Sequence, residues 1–154
     1  MNMERRGQVS AKGKRIAIIV SRFNEAISKR LLEGATETLL QHGAAESDLD
    51  VFWAPGSFEL PLVAKKIAEK GGYDGILALG CIIRGETPHF DYIAAETAKG
   101  LAKVMMEHTI PLGFGIITAD TMDQASDRAG GKQGNKGRLA ALHLMEMMSL
   151  LEGM

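Results

Sequence analysis

Residues 73–107 read YDGILALGCIIRGETPHFDYIAAETAKGLAKVMME, and this stretch decides the fold. Ile76 to Ile83 is almost continuously apolar, the pattern of a strand covered on both faces. Arg84, Gly85 and Glu86 break the run. Thr87 then suits a helix N-cap and Pro88 the first helical position, where a missing N–H costs nothing. The helix runs on to Glu107 or His108. Its first turn offers unpaired backbone donors and the positive end of a dipole, a natural seat for a phosphate. His89, expected as the second helical residue, stands beside that seat with a ring able to take or give a proton.

The same alternation extends in both directions. Upstream, RIAIIV (15–20) reads as a strand, with Ser21 to Asn24 as its exit loop. Ile27, Leu31, Ala35 and Leu39 recur every four residues as a helical stripe, closed near Gly43. LDVFWA (49–54) is a second strand, followed by a Pro55-Gly56-Ser57 turn in which Ser57 is placed to cap a helix reaching about Lys70. Downstream, PLGFGIIT (111–118) is a fourth strand, followed by a short helix over about 121–129. A glycine- and lysine-rich bend, GGKQGNKG (130–137), leads to a last helix from Arg138 to Leu151. Strands that alternate regularly with helices call for an α/β fold: a three-layer αβα sandwich around a central four-stranded parallel sheet. Such sheets bind ligands at the carboxyl ends of their strands. The loops there carry Phe23, Asn24, Ser57, Glu59, Thr87 and His89.

Composition sets the limits. The chain has 154 residues, which suits one domain over 15–154 preceded by a loose arm over 1–14. A net charge of −1 gives no reason to expect nucleic acid. No apolar run is long enough to cross a bilayer, the opening residues lack a signal-peptide core, and the single cysteine forms no internal disulfide. A cytoplasmic location is expected. The histidines and Cys81 show no metal-ligand spacing, and neither a P-loop nor a dinucleotide-binding glycine motif occurs.

Each candidate also has an ordinary reading. His89 could be a surface residue at a helix start. Glu59 fits a first-turn acid favoured by a helix dipole. Phe23 and Phe114 read by default as core, although Phe23 stands among polar loop residues. Cys81 reads as a small buried filler before a nucleophile. Arg128, Lys132, Lys136 and Arg138 fit a solvated bend as well as an anion site. The last helix has a polar stripe narrower than a sheet-covering helix needs, so surplus apolar surface points to contact between subunits.

The segments SRFNEAIS (21–28), APGSFELP (54–61), LGCIIRGETPHFDY (79–92), FGIIT (114–118) and DRAGGKQGNKG (127–137), in this order and spacing, resemble those of lumazine synthase. The resemblance covers about Ile16 to Met148. It implies a flavodoxin-like topology, an N-terminal arm that pairs with a neighbouring subunit, and an enzyme of riboflavin biosynthesis needing no cofactor or metal. That enzyme condenses 5-amino-6-(D-ribitylamino)uracil with 3,4-dihydroxy-2-butanone 4-phosphate. The resemblance further implies that Phe23 stacks on the pyrimidine ring and that Ser57, Phe58 and Glu59 hold the ribityl chain and ring. Cys81, Ile82 and Ile83 would line the ring pocket, Glu86 and Thr87 bind phosphate, and His89 transfer protons. Phe114 and Arg128 would come from a neighbouring subunit, Arg128 to the phosphate, with Lys136 in support. The family assembles as pentamers and in some members as sixty-subunit shells, with active sites between neighbours. Where members often carry threonine this chain has Cys81, and Pro88 removes one backbone donor from the phosphate loop. Two other readings weighed from the residues are a flavin- or lumazine-binding module without turnover and a signalling receiver domain. The receiver needs acidic residues after the first strand, where this chain has Val20, Ser21, Arg22 and Phe23.

Overall fold

A computed structural model describes residues 2–154. Four parallel strands form the sheet: β1 (Ile16–Ser21), β2 (Leu49–Ala54), β3 (Gly75–Ile83) and β4 (Leu112–Ala119), in the order β2-β1-β3-β4. Five helices accompany them: α1 (Glu25–Gln41), α2 (Leu60–Lys70), α3 (His89–His108), α4 (Met122–Asp127) and α5 (Lys136–Glu152). All four expected strands are present within one or two residues of their predicted ends, and the architecture is the three-layer sandwich with flavodoxin-like order.

The two central strands are buried at every residue except Ile83, because each face has its own helical cover. On one face, Ile16, Ile18, Val20, Leu77 and Leu79 pack against Leu31 and Leu39 of α1 and Leu144 and Met145 of α5. On the other, Ala17, Ile19, Ile76 and Ala78 meet Leu60 and Ala64 of α2 and Leu101 and Val104 of α3. Residues of opposite parity along one strand thus enter opposite cores, as strand geometry requires. α1 and α5 touch backbone to backbone. A Cβ on Gly137 would stand 2.2 Å from the carbonyl oxygen of Leu31, so this crossing admits only glycine.

Four local expectations are corrected. Pro88 (φ −71°, ψ 5°) stands outside α3 as its N-cap, so His89 is the first helical residue rather than the second. The Thr87 hydroxyl still accepts the His89 N–H, at 3.5 Å. Ser57 does not cap α2. It opens a single 3-10 turn (Ser57–Glu59), and α2 begins three residues later with Pro61 in its first turn, where one N–H is absent and a cap is needed less. The Gly- and Lys-rich bend is a small antiparallel hairpin of β5 (Ala129–Gly131) and β6 (Gly134–Asn135), made by the positive φ of Gly130 and Gly134. α5 starts at Lys136, two residues early, because the Asn135 carboxamide oxygen caps it by accepting the Arg138 N–H at 3.1 Å.

The opening segment lies along α5 and the end of α1. The Gln8 N–H donates to Ser149 Oγ at 2.8 Å and the Ala11 N–H to the His42 carbonyl at 2.9 Å; Ala11 is fully buried. A Cβ on Gly7 would fall 1.9 Å from the Glu146 carbonyl oxygen, so the two backbones are in direct contact. On α5 these contacts fall on Glu146 and Ser149, while its apolar Leu139, Met147 and Leu151 remain exposed. Among the described residues, no helix is long and apolar enough to cross a membrane.

Candidate active site

A cavity of about 730 Å³ opens at the carboxyl ends of β1, β2 and β3. The strand order reverses direction between β1 and β3, the position at which open α/β sheets bind ligands. Three loops build the cavity. The first supplies Arg22 and Phe23, the second Pro55 to Glu59, and the third Ile83, Gly85 and Thr87, with Cys81 and Ile82 beneath and His89, Phe90 and Ile93 from α3.

The loop after β1 is held by continuing the strand pairing: the Arg22 N–H donates to Ala54 O at 2.8 Å and the Phe23 N–H to Pro55 O at 3.1 Å. Asn24 follows in the left-handed region (φ 60°, ψ 48°), a conformation its short amide side chain tolerates. Its Nδ2 donates to the Cys81 carbonyl at 3.1 Å, tying this loop to the end of β3. Phe23 is thereby presented with 70% of its surface exposed, which rules out the core reading for it.

In the second loop, Ser57 is buried and its Oγ has no hydrogen-bond partner in the chain, although it lines the cavity. An unpaired buried hydroxyl is unfavourable unless something meets it there. A Cβ on Gly56 would stand 3.1 Å from Glu59 Oε1, so this carboxylate folds back over the turn. Phe58 is half-exposed at the mouth.

Cys81 is buried, and that burial pushes its thiol up to about 11. A thiol so poorly ionised is a wall atom rather than a nucleophile. Ile82 is buried beside it. His89 is exposed on the first turn of α3 and lines the cavity, alongside Thr87.

Nine of the residues singled out from sequence therefore share one cavity: Phe23, Ser57, Phe58, Glu59, Cys81, Ile82, Ile83, Thr87 and His89. Five do not line it: Asn24, which braces the rim from behind through its bond to the Cys81 carbonyl, and Glu86, Phe114, Arg128 and Lys136. Glu86 is an exposed residue of the third loop, next to the lining residues Gly85 and Thr87. Phe114 is partly exposed on β4, the edge strand. Arg128 lines a separate cavity of about 430 Å³ together with Lys136 and Arg138, and its guanidinium donates to the Gln124 carbonyl at 3.0 Å.

Sequence reasoning missed Arg22, Phe90 and Ile93, whose neighbourhood arises only when the loops converge. It also missed Arg84, which stacks on Phe90 and pairs with Asp91 and Asp120. The apolar spacing of Phe90, Ile93 and Ala94 could have flagged the inward face of α3. Nothing local in the sequence joins Arg84 to Asp120.

A family model described as 6,7-dimethyl-8-ribityllumazine synthase matches residues 13–152.

Proposed function

Because the chain belongs to the 6,7-dimethyl-8-ribityllumazine synthase family of riboflavin biosynthesis, we propose that it condenses 5-amino-6-(D-ribitylamino)uracil with 3,4-dihydroxy-2-butanone 4-phosphate. The products are the lumazine, inorganic phosphate and water. The observation that carries this reading is the convergence of an exposed aromatic ring, an unpaired buried hydroxyl, a carboxylate and an imidazole on one cavity at the topological switch point.

The roles follow from what each group offers. Phe23 presents a free aromatic face for the pyrimidine ring. Ser57 Oγ and the Glu59 carboxylate are polar groups suited to a ribityl chain, with Phe58 closing over the ring. The main chain of Cys81, Ile82 and Ile83 supplies fixed donors and acceptors to the ring edge. Glu86 and Thr87 place backbone and hydroxyl donors at the start of a twenty-residue helix, where an anion is favoured.

The reaction itself is a sequence of proton movements. The 5-amino group adds to the ketone carbonyl and water leaves. A proton is removed from the carbon chain and phosphate is expelled. Expulsion of phosphate leaves an enol at the adjacent carbon, which takes up a proton at its terminal carbon and becomes a new carbonyl. The ribityl-bearing nitrogen attacks that carbonyl, and loss of a second water closes the ring. His89 Nδ1 or Nε2, beside the phosphate end, is the group placed to carry protons among these steps. Holding two reactive molecules together supplies much of the rate, since effective molarity is worth up to roughly 7–11 kcal/mol.

Phe114 and Arg128 lie outside the cavity of their own chain, which supports their delivery to the cavity of a neighbouring copy. The working unit is then a homo-oligomer with sites between subunits, a pentamer or a sixty-subunit shell built from pentamers. Its place of action is the cytoplasm. Mixing the two substrates with the purified protein and following lumazine absorbance tests the reaction. Binding of the pyrimidine without product formation would replace the enzyme with a carrier.

A further inference from the structure

Arg84 sits at the point where β3 ends, and its side chain reaches three partners at once. Its Nε donates to Asp120 Oδ1 at 2.9 Å, its Nη2 lies 3.6 Å from Asp91 Oδ1, and its guanidinium carbon stands 4.5 Å from the centroid of the Phe90 ring. Its own N–H donates to the Ala119 carbonyl at 2.8 Å, and Asp120 is in turn held by Gln124, whose Oε1 accepts the Asp120 N–H at 2.9 Å. Two of the three side-chain partners, Phe90 and Asp91, directly follow His89 on the first turn of α3.

The loop between Arg84 and that turn has little else to hold it. Among the described residues, none of Gly85, Glu86 and Thr87 makes a backbone–backbone hydrogen bond. Around Gly85 a Cβ would meet nothing within 4 Å. Phe90, Ile93 and Ala94 pack this end of α3 on the core, and the Arg84 side chain adds the polar bridge from the end of β4 to the first turn of the helix.

We propose that Arg84 is a positioning residue for His89: it clamps the first turn of α3 to the end of β4, and so fixes the imidazole against the cavity. This rests on His89 acting as the acid/base group. The side chain is 47% exposed, so its ion pairs are screened and add little to global stability. What it supplies is geometry. A planar guanidinium can lie flat on an aromatic ring while its edge donors reach two carboxylates, which a lysine ammonium cannot do.

The experiment uses the full-length protein and the variants Arg84→Ala, Arg84→Lys and Asp120→Asn, with kcat and KM measured for both substrates. Arg84→Ala is expected to lower kcat by about 10- to 100-fold, the scale of a small misplacement of a reacting group, while KM for the pyrimidine stays within about twofold. Arg84→Lys should fall nearly as far, because charge alone does not restore the fork or the stacking. Lysine activity equal to wild type would overturn the proposal, as would a rise in KM with kcat unchanged. Amide hydrogen exchange provides a readout independent of turnover. Residues 89–93 should exchange faster in Arg84→Ala while β1 and β3 keep their protection; unchanged exchange over 89–93 overturns the clamp. If Arg84→Ala does not fold, Asp120→Asn carries the same two measurements with the same expected directions. A wild type that makes no lumazine would sink the proposed reaction, and the exchange comparison would still decide whether Arg84 holds the turn.

Discussion

Ser57 and Gly80 meet so closely that a Cβ built on Gly80 would stand 2.8 Å from Ser57 Oγ and 3.1 Å from Ser21 Cβ. The strand passes behind the cavity at this point, and only a hydrogen atom fits between it and the 3-10 turn. Gly80→Ala must push Ser57 towards the cavity, since Ser21 Cβ belongs to a fixed strand position. The expected result is a loss of about 1–3 kcal/mol of stability, the usual effect of overpacking. Binding of the pyrimidine should weaken at the same time. Urea midpoints and KM measured on the same preparation check both effects.

His89→Ala should slow lumazine formation by about 10²–10⁴-fold without abolishing it, because approximation of the two substrates survives the loss of one acid/base group. A correctly folded variant with no activity above background would show that the imidazole does more than shuttle protons.

Phe114 and Arg128 define the strongest test of a shared site. Arg128→Ala alone should mainly raise KM for the phosphate substrate, by about tenfold or more for a lost charge-assisted bond. If His89 and Arg128 serve one cavity from two copies, His89→Ala and Arg128→Ala proteins unfolded together and refolded as a mixture will contain some intact sites. With the phosphate substrate held well below the wild-type KM, activity of the mixture should then exceed that of either parent. No recovery would place Arg128 with its own chain's His89, or with neither.

The far end of the sheet sets the pH dependence of stability. The Tyr73 hydroxyl donates to Asp50 Oδ2, Arg15 pairs with the same carboxylate at 2.9 Å, and Arg15 also stacks on the Tyr73 ring. The tyrosine hydrogen bond, followed by the arginine, holds Asp50 below its usual 3.8. The same bond, with burial, pushes Tyr73 above its usual 10.0. A carboxylate lowered on folding contributes stability that is present above its unfolded value and lost as pH falls through the folded one. A phenol raised on folding contributes stability that is present below its unfolded value and lost as pH rises through the folded one. Wild type should therefore be more stable than Asp50→Asn near neutrality, and the difference should shrink below pH 4. Denaturation midpoints at pH 7, 5 and 3 measure it.

With its thiol raised to about 11 by burial, Cys81 should resist alkylation. At pH 8 iodoacetamide should modify the native protein at least about 100-fold more slowly than the urea-unfolded chain, following the thiolate fraction. Equal rates would show that the end of β3 opens readily.

The sheet was legible because each strand is a short, dense apolar run and α1 carries a four-residue period. Those signals are local, and the strands of the structure follow them. The errors lie where tertiary contact overrides local chemistry. Ser57 has the right residue type for a cap, yet it is drawn under Gly80 and away from the start of α2. The hairpin over 129–135 was hidden because its strands contain no β-branched or aromatic residue. The rim of the cavity followed from the rule for parallel sheets, which needs only strand order and loop position. Arg84 escaped notice because its partners Asp91 and Asp120 come from separate elements.

The strand order also bears on how the chain is made. β1, buried at all six of its residues, pairs only with β2 and β3, both of which are synthesised after it. β2 is complete at residue 54 but β3 only at residue 83, so over roughly two fifths of translation the IAIIV segment lacks at least one of its two flanking strands. A nascent chain halted before that residue should bind holdase chaperones through this segment, and one released after β4 should not.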